Sequence, residues 1–302
     1  MEPDERALRS RITSTGSANK AGDVPQNLRA FRATVWRYYK ANGRHDLPWR
    51  KTTDPYSILV SEVMLQQTQV SRVIEKYKSF LKKFPTVRAL AKAPLSEVLK
   101  EWSGLGYNRR GKYLHDAAKE IVGRHRGDFK EALSRPLPGV GPYTKAAVRV
   151  FAFDEPDVLI ETNIRAVYLQ YFFECGIYEV PYGLVHDKDI VPVAQSAAEK
   201  QDPREWHWAL MDYGAHLKKT GVRNNQRSAR YTRQSKFEGS LRQARGAILH
   251  RLVQGLPLDK KLSAGKEMLE KALDSLERDG LIVQIKGPVR SGSALGRKWR
   301  IS

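Results

Sequence analysis

Leu137-Pro-Gly-Val-Gly-Pro142 runs without a break into Tyr143-Thr-Lys-Ala-Ala-Val148, so two glycines in a tight turn open directly onto a helical pattern. Glycine lets a backbone come close to a phosphate, and the N–H groups of a helix's first turn point at it with the dipole's positive end. Pro142 suits a first turn because it has no N–H to leave unpaired. The plainer alternative is an ordinary helix–helix turn, and a formal charge of +20 favours the phosphate-binding one. Contacts of this kind read no sequence and only position a protein on a duplex.

Outward from the hairpin, residues from about 27 to 217 read mostly as helices. Ser61 to Phe80 carries Val63, Val70, Val73, Ile74 and Tyr77 near the helical period, and Pro85 stops whatever follows. Pro94 opens a segment in which Leu95, Val98, Leu99 and Trp102 form one stripe, ended by Gly104. Further helices are expected at 109–123, 143–153, 163–174, 188–200 and 204–216, and no long alternating pattern marks a strand. Beyond them, Leu241 to Leu256 and Ala264 to Asp279 are two more helical patterns. Leu281–Lys286 and Lys298–Ile301 then read as short strands around a Gly/Ser-rich turn. That order is the outline of a small winged-helix-like module over 241–302.

The charge is unevenly placed. Of the +20, +13 lies between Lys218 and Ser302, and Lys218–Lys236 holds seven basic residues and no acidic one. Residues 218–240 are read as a basic strap that tracks a polyanion or is simply solvated. The hydrophobic fraction, 41%, is too high for wholesale disorder, while the apolar runs fall well short of the ~18 residues of a membrane span. Residues 1–26 are polar, have no apolar leader core and are expected to be a loose tail. Cys175 is the only cysteine, which excludes an intramolecular disulfide, a four-thiolate zinc site and an iron–sulfur cluster.

Several segments, in order, resemble the helix-hairpin-helix DNA glycosylases, and among them the adenine DNA glycosylases of the MutY type. They are Leu47-Pro-Trp-Arg50, Pro55-Tyr56, Ser61-Glu-Val-Met-Leu-Gln-Gln-Thr-Gln-Val70, Phe84-Pro-Thr-Val87, Trp102-Ser-Gly-Leu-Gly-Tyr107, Leu137-Pro-Gly-Val-Gly141 and Met211-Asp-Tyr-Gly-Ala215. The resemblance covers roughly residues 30–217. It implies a mainly α fold: a two-lobed, all-helical helix-hairpin-helix glycosylase domain over 27–217, followed by the strap and the small C-terminal module. It also implies double-stranded DNA with a mispaired or damaged base as partner, action as a monomer without a membrane, and, in a bacterium, a cytoplasmic place on the nucleoid.

Such an enzyme flips a base out of the stack and cleaves its N-glycosidic bond. Protonating the leaving base and stabilising an oxocarbenium ion call for two carboxylates with opposite duties. The resemblance assigns the acid to Glu62, whose apolar neighbours Val60, Val63, Met64 and Leu65 would raise its pKa and keep a proton on it. The second carboxylate departs from the family's pattern, an Asp followed by Gly-Asn. Here Leu159-Ile-Glu-Thr-Asn-Ile-Arg165 puts Glu161 at that position, with Asn163 matching the family's Asn. One extra methylene displaces a carboxylate by about a bond length, more than the half ångström to which sites are held. The rival role for Glu161 is capping or pairing near Arg165.

Relatives that also cut the strand carry a nucleophilic Lys two residues after the last hairpin glycine. That position is Tyr143, and Lys145 lies about 200° further round the helix, so a glycosylase without lyase activity is expected. By resemblance, Gln66 and Gln67 wedge into the stack, Tyr107 enters from the minor groove, and Gly139, Val140, Gly141, Thr144 and Lys145 hold the backbone. Trp49 and Arg50 fall at pocket-side positions, and Trp208 stands where the adenine enzymes use an amide, exchanging a hydrogen-bond readout for a stacking surface. The cluster cysteines common in the family would fall at Lys218 and near Asn225, Ser228 and Gln234, none of which is Cys. No metal cofactor is therefore expected, apart from a monovalent cation compatible with the hairpin. Residues 241–302 are too few and too helical to be the β-rich domain with which adenine enzymes check for 8-oxoguanine. Three readings stay open: removal of adenine from a mispair, removal of another base (mismatched T or U, or a damaged or modified purine), and a DNA-binding protein that has lost catalysis.

Overall fold

The computed structural model describes residues 25–173, 184–233, 236–258, 265–285 and 298–302. In chain order its helices are α1 (Pro25–Asn42), α2 (Pro55–Leu65), α3 (Val70–Lys83), α4 (Val87–Lys92), α5 (Leu95–Trp102), α6 (Arg109–Gly123), α7 (Phe129–Ser134), α8 (Pro142–Phe153), α9 (Thr162–Tyr168), α10 (Asp187–Ala198), α11 (Pro203–Lys219), α12 (Leu241–Val253) and α13 (Lys266–Arg278). Two strands follow, β1 (Ile282–Ile285) and β2 (Lys298–Ile301). Cysteine 175, the tail and the turn joining the strands lie outside the described residues. The chain divides into two compact units, one of Met1–Lys51 with Ala146–Arg233 and the other of Thr52–Lys145 with Gln234–Ser302. Among the described residues no helix is long and apolar enough to cross a membrane.

The first unit is built on aromatic packing. Leu28, Phe31, Val35 and Tyr39 recur at helical spacing along α1 and all are buried. The ring of Phe31 meets those of Tyr168, Tyr171, Phe172 and Trp206 at centroid distances of 5.0–5.9 Å. Burying such a ring contributes ~2–3 kcal/mol. Helix α11 starts where Asp202 accepts a hydrogen bond from Glu205 N at 2.7 Å and Pro203 occupies the first turn. It packs against α9 across Gly214, whose missing Cβ would lie 2.2 Å from the Asn163 carbonyl oxygen.

In the second unit the run Ser61–Phe80 is two helices, not one. Helix α2 stops at Leu65, α3 begins at Val70, and Gln67 between them has φ +54°. The cause is Arg110, whose guanidinium takes the carbonyls of Val63 (2.9 Å), Met64 (3.1 Å) and Gln66. A continuing helix needs those carbonyls for its own N–H groups four residues on.

The C-terminal residues belong to this same unit. The cluster of Ala244, Ile248, Leu249, Leu269, Leu273, Leu276, Ile282 and Trp299 includes Leu99 of α5. Strands β1 and β2 pair antiparallel from Ile282↔Ile301 to Ile285↔Lys298. Division along the chain sets 241–302 apart, whereas packing joins it to residues 52–145.

Candidate functional site

The hairpin is shaped by side chains that face inward and a backbone that faces out. Leu137 and Val140 are buried, Gly139 and Gly141 exposed, and Val140 N donates to Leu137 O at 3.2 Å. Gly139 has φ +66°, and a Cβ there would lie 2.5 Å from Cβ of Tyr113. Conformation and space therefore both demand glycine. Helix α8 starts at Pro142, directly behind the turn, where its positive end suits an anion. Gly139→Ala is expected to destabilise the second unit by about 1–3 kcal/mol and to weaken binding of undamaged duplex. Paired thermal melts and fluorescence-anisotropy titrations check this, and unchanged affinity would remove the hairpin from the interface.

Beside the hairpin, Tyr143 is half-buried, Thr144 is buried and receives a 3.4 Å hydrogen bond from Gln66 Nε2, and the Lys145 ammonium donates to the Arg135 carbonyl. Arg110 also donates to Thr68 Oγ1 (3.0 Å), Leu105 O (3.3 Å) and Gly106 O (3.2 Å). It thus ties the turn carrying Gln66 and Gln67 to the one carrying Tyr107, which has φ +47°. Burial lowers the Arg110 pKa to about 10. Tyr107 lies under two guanidinium groups, Arg110 at 5.4 Å and Arg242 at 5.5 Å, and its hydroxyl accepts from Arg242 Nη1 at 2.6 Å. Glu62 is 9% exposed in a helix whose residues Ile58–Met64 are all buried.

The first unit carries the other carboxylate. Glu161 caps α9: its Oε1 accepts from Asn163 N (2.8 Å) and Ile164 N (2.9 Å), and its Oε2 from Asn163 Nδ2 (3.3 Å). A cap and a charge stabiliser are compatible, because the backbone N–H groups hold Oε1, while Oε2 accepts from the Asn163 side chain. Arg165 pairs with Asp187 at 2.7 and 3.0 Å, not with Glu161. Trp49 and Trp208 are buried. Trp208 stacks on Phe151 at 5.6 Å and 17°, and the Arg50 guanidinium lies 5.3 Å from its ring. Arg50 is itself held bidentately by Asp212, 2.8 Å at each oxygen. Trp208 and Arg50 are thus brought together, with the indole ring packed on protein.

Residues 218–233 are bound to this unit by polar groups. Lys218 Nζ reaches Asn163 Oδ1 (2.8 Å), Asn224 Nδ2 the Ala166 carbonyl (2.8 Å), and Arg227 Nη1 the Phe173 carbonyl (2.8 Å). Ser228 bridges Val185 in parallel fashion, and Arg230 Nε lies 3.3 Å from Asp187. Three expected cluster-ligand positions therefore hold an amine, an amide and a hydroxyl, and the fourth, Gln234, lies outside the described residues. Iron–sulfur clusters are held by thiolates. This donor set does not fit one, and among the described residues no group of His, Cys, Asp and Glu is arranged to hold a metal.

Four residues here have partners that no pattern along the chain reveals: Arg110, Asp212, Lys218 and Arg242. Asp212 lies inside Met211–Ala215, yet only its contact with Arg44 and Arg50 reveals its role.

Residues 60–214 match the HhH-GPD superfamily base excision DNA repair protein family. The human adenine DNA glycosylase is 32% identical over 228 residues, 71% of this chain and 40% of that protein. Its counterpart from Mycolicibacterium smegmatis is 33% identical over 271 residues, 80% of this chain and 89% of that protein. A solved thermostable thymine-DNA glycosylase superposes with a TM-score of 0.55 at 29% identity, covering 63% of this chain and 87% of that one. The chain spans about two fifths of the length of the mammalian proteins it matches. With half of its residues matched by the family and nearly nine tenths of the mycobacterial relative covered, this chain belongs to the HhH-GPD superfamily of base excision DNA repair proteins.

Proposed function

We propose that this protein is a monofunctional DNA glycosylase that flips adenine out of a mispair and hydrolyses its N-glycosidic bond. The observation that carries this reading is Glu62, a carboxyl buried in α2 on the unit that also bears the hairpin and the Gln66–Gln67 and Tyr107 turns. Glu62 protonates the leaving base, and Glu161 stabilises the positive charge that develops on the sugar. Tyr143 at the lyase position supports hydrolysis without strand cleavage. Base identity follows the names of the relatives, adenine DNA glycosylases in mammals and bacteria. The protein works without an iron–sulfur cluster, the strap 218–233 being held by its own polar contacts. A second reading, removal of mismatched thymine, is favoured by the likeness to the thymine-DNA glycosylase together with an indole at Trp208 where the adenine enzymes carry an amide.

The test is a panel of duplexes carrying A opposite 8-oxoguanine, A opposite G, and T or U opposite G, with alkali to cleave abasic sites. Release of adenine alone is expected. Release of thymine or uracil alone would transfer the assignment to the second reading, and tight binding with no release from any duplex would leave a DNA-binding protein. Strand cleavage without alkali would overturn the monofunctional assignment.

A further inference from the structure

Lys218 sits in the last turn of α11, and its side chain serves the α9 cap. Its ammonium donates to Asn163 Oδ1 at 2.8 Å, Asn163 Nδ2 donates to Glu161 Oε2 at 3.3 Å, and Glu161 Oε1 is held by two backbone N–H groups at 2.8 and 2.9 Å. An ammonium group can only donate, and an ionised carboxylate can only accept. Together they allow one orientation of the amide between them, oxygen toward Lys218 and NH2 toward Glu161. Flipped, the amide would oppose oxygen to carboxylate at one end and NH2 to ammonium at the other.

Packing removes the remaining freedom. Helix α11 approaches so closely at Gly214 that a Cβ there would overlap the Asn163 main chain, at 2.2 Å from O and 2.6 Å from C. The backbone of Asn163 is lodged against the same helix that supplies Lys218, so little but side-chain rotation is left to this residue. Lys218 is partly buried. Burial pushes its pKa below that of an ordinary lysine, the Glu161 charge pulls it back up, and Arg165 adds to the lowering.

We propose that Lys218 is a positioning residue for Glu161, acting through the Asn163 amide to fix the direction in which the second carboxylate oxygen is presented. The inference deepens the glycosylase reading and rests on Glu161 stabilising the sugar cation. It also accounts for how a glutamate can serve at a position where the family has the shorter aspartate: the extra methylene adds a torsion, and the Lys218–Asn163 pair restrains it. A charge stabiliser acts only if it stands where charge develops, and small displacements are costly in rate.

Lys218→Met, Lys218→Arg, Glu161→Gln and the Lys218→Met/Glu161→Gln double variant are compared in single-turnover base release and in affinity for a duplex bearing the target base. Lys218→Met is expected to slow release by roughly 10- to 100-fold with affinity retained, and Lys218→Arg, which keeps a charged donor, to recover most of the rate. In the Glu161→Gln background Lys218→Met should have no further effect. A full additional loss in that background, or wild-type rate in Lys218→Met, overturns the proposal. The side-chain amide resonances of Asn163, assigned with Asn163→Asp, give a readout independent of activity. They are expected to shift and broaden in Lys218→Met, and unmoved resonances overturn the proposal. If the wild-type protein releases no base from any duplex, the glycosylase reading falls, and these resonances still decide whether Lys218 orients the amide.

Discussion

Glu62→Gln is expected to lower single-turnover base release by roughly 10²- to 10⁴-fold while leaving duplex affinity and helical content unchanged. The substitution keeps shape and hydrogen-bonding capacity but removes the transferable proton. Glu62 is 9% exposed in a helix whose residues Ile58–Met64 are all buried, so little bulk water reaches it to take over its role. A glutamine there fits the same space, and any loss of rate is then a loss of chemistry and not of fold. Rates on the preferred duplex, with circular dichroism and anisotropy as controls, check the expectation. Activity retained in Glu62→Gln would require a different proton donor and would empty the α2 motif of its proposed meaning.

The largest effect on stability is expected from Asp212→Asn. The Asp212 side chain is 2% exposed and the Arg50 side chain 4%. Arg50 binds both carboxylate oxygens at 2.8 Å, and Arg44 adds its main-chain N–H (2.7 Å) and Nε (2.6 Å). Asparagine offers one acceptor and no charge, leaving the buried Arg50 cation uncompensated. Breaking a buried pair in this way costs about 3–5 kcal/mol, equivalent to a fall in melting temperature of roughly 10 °C for a unit of this size.

The pH dependence of this effect has a definite sign. Burial alone would raise the Asp212 carboxyl, but the hydrogen bonds and charge of Arg50, then of Arg44, outweigh it and hold the pKa below the usual carboxylate range. A depressed folded-state pKa stabilises the fold above the unfolded value of ~3.9, and that stabilisation is lost as pH falls through the folded value. The gap in melting temperature between wild type and Asp212→Asn should be full at neutral pH and shrink below about pH 4. Equal melting temperatures at pH 7 would show that the ion pairs contribute nothing net.

Much of the site could be read along the chain, for physical reasons that differ from one part to another. The hairpin is local chemistry: glycines at 139 and 141, a proline at 142 and buried apolar residues at 137 and 140 encode the turn within a few residues. Helix starts are local too, as at Asp54, whose carboxylate accepts from Ser57 N at 2.9 Å, and at Asp202. The two carboxylates are candidates only because their surrounding segments resemble a family, since an isolated glutamate carries no mark of its duty.

The break between α2 and α3 could not be read from periodicity, which runs through it. It is made by Arg110, more than forty residues away, competing for carbonyls that would otherwise close the helix. The surroundings of Trp208 are similar: no pattern along the chain shows its ring packed on Phe151 and near the Arg50 guanidinium.

The amino-acid sequence by itself thus determined most of the helices, the hairpin, the surplus of positive charge toward the C-terminus and the lack of enough thiols for an iron–sulfur cluster. Each follows from composition or from interactions between near neighbours. Tertiary structure decided which charges are paired and which carboxylate oxygens are held. Asp212 meets Arg44 and Arg50 across more than 160 residues, and Lys218 meets Asn163 across 55. Hydrogen-bond partners so far apart in sequence are chosen by the packing of whole helices, and no local pattern encodes them.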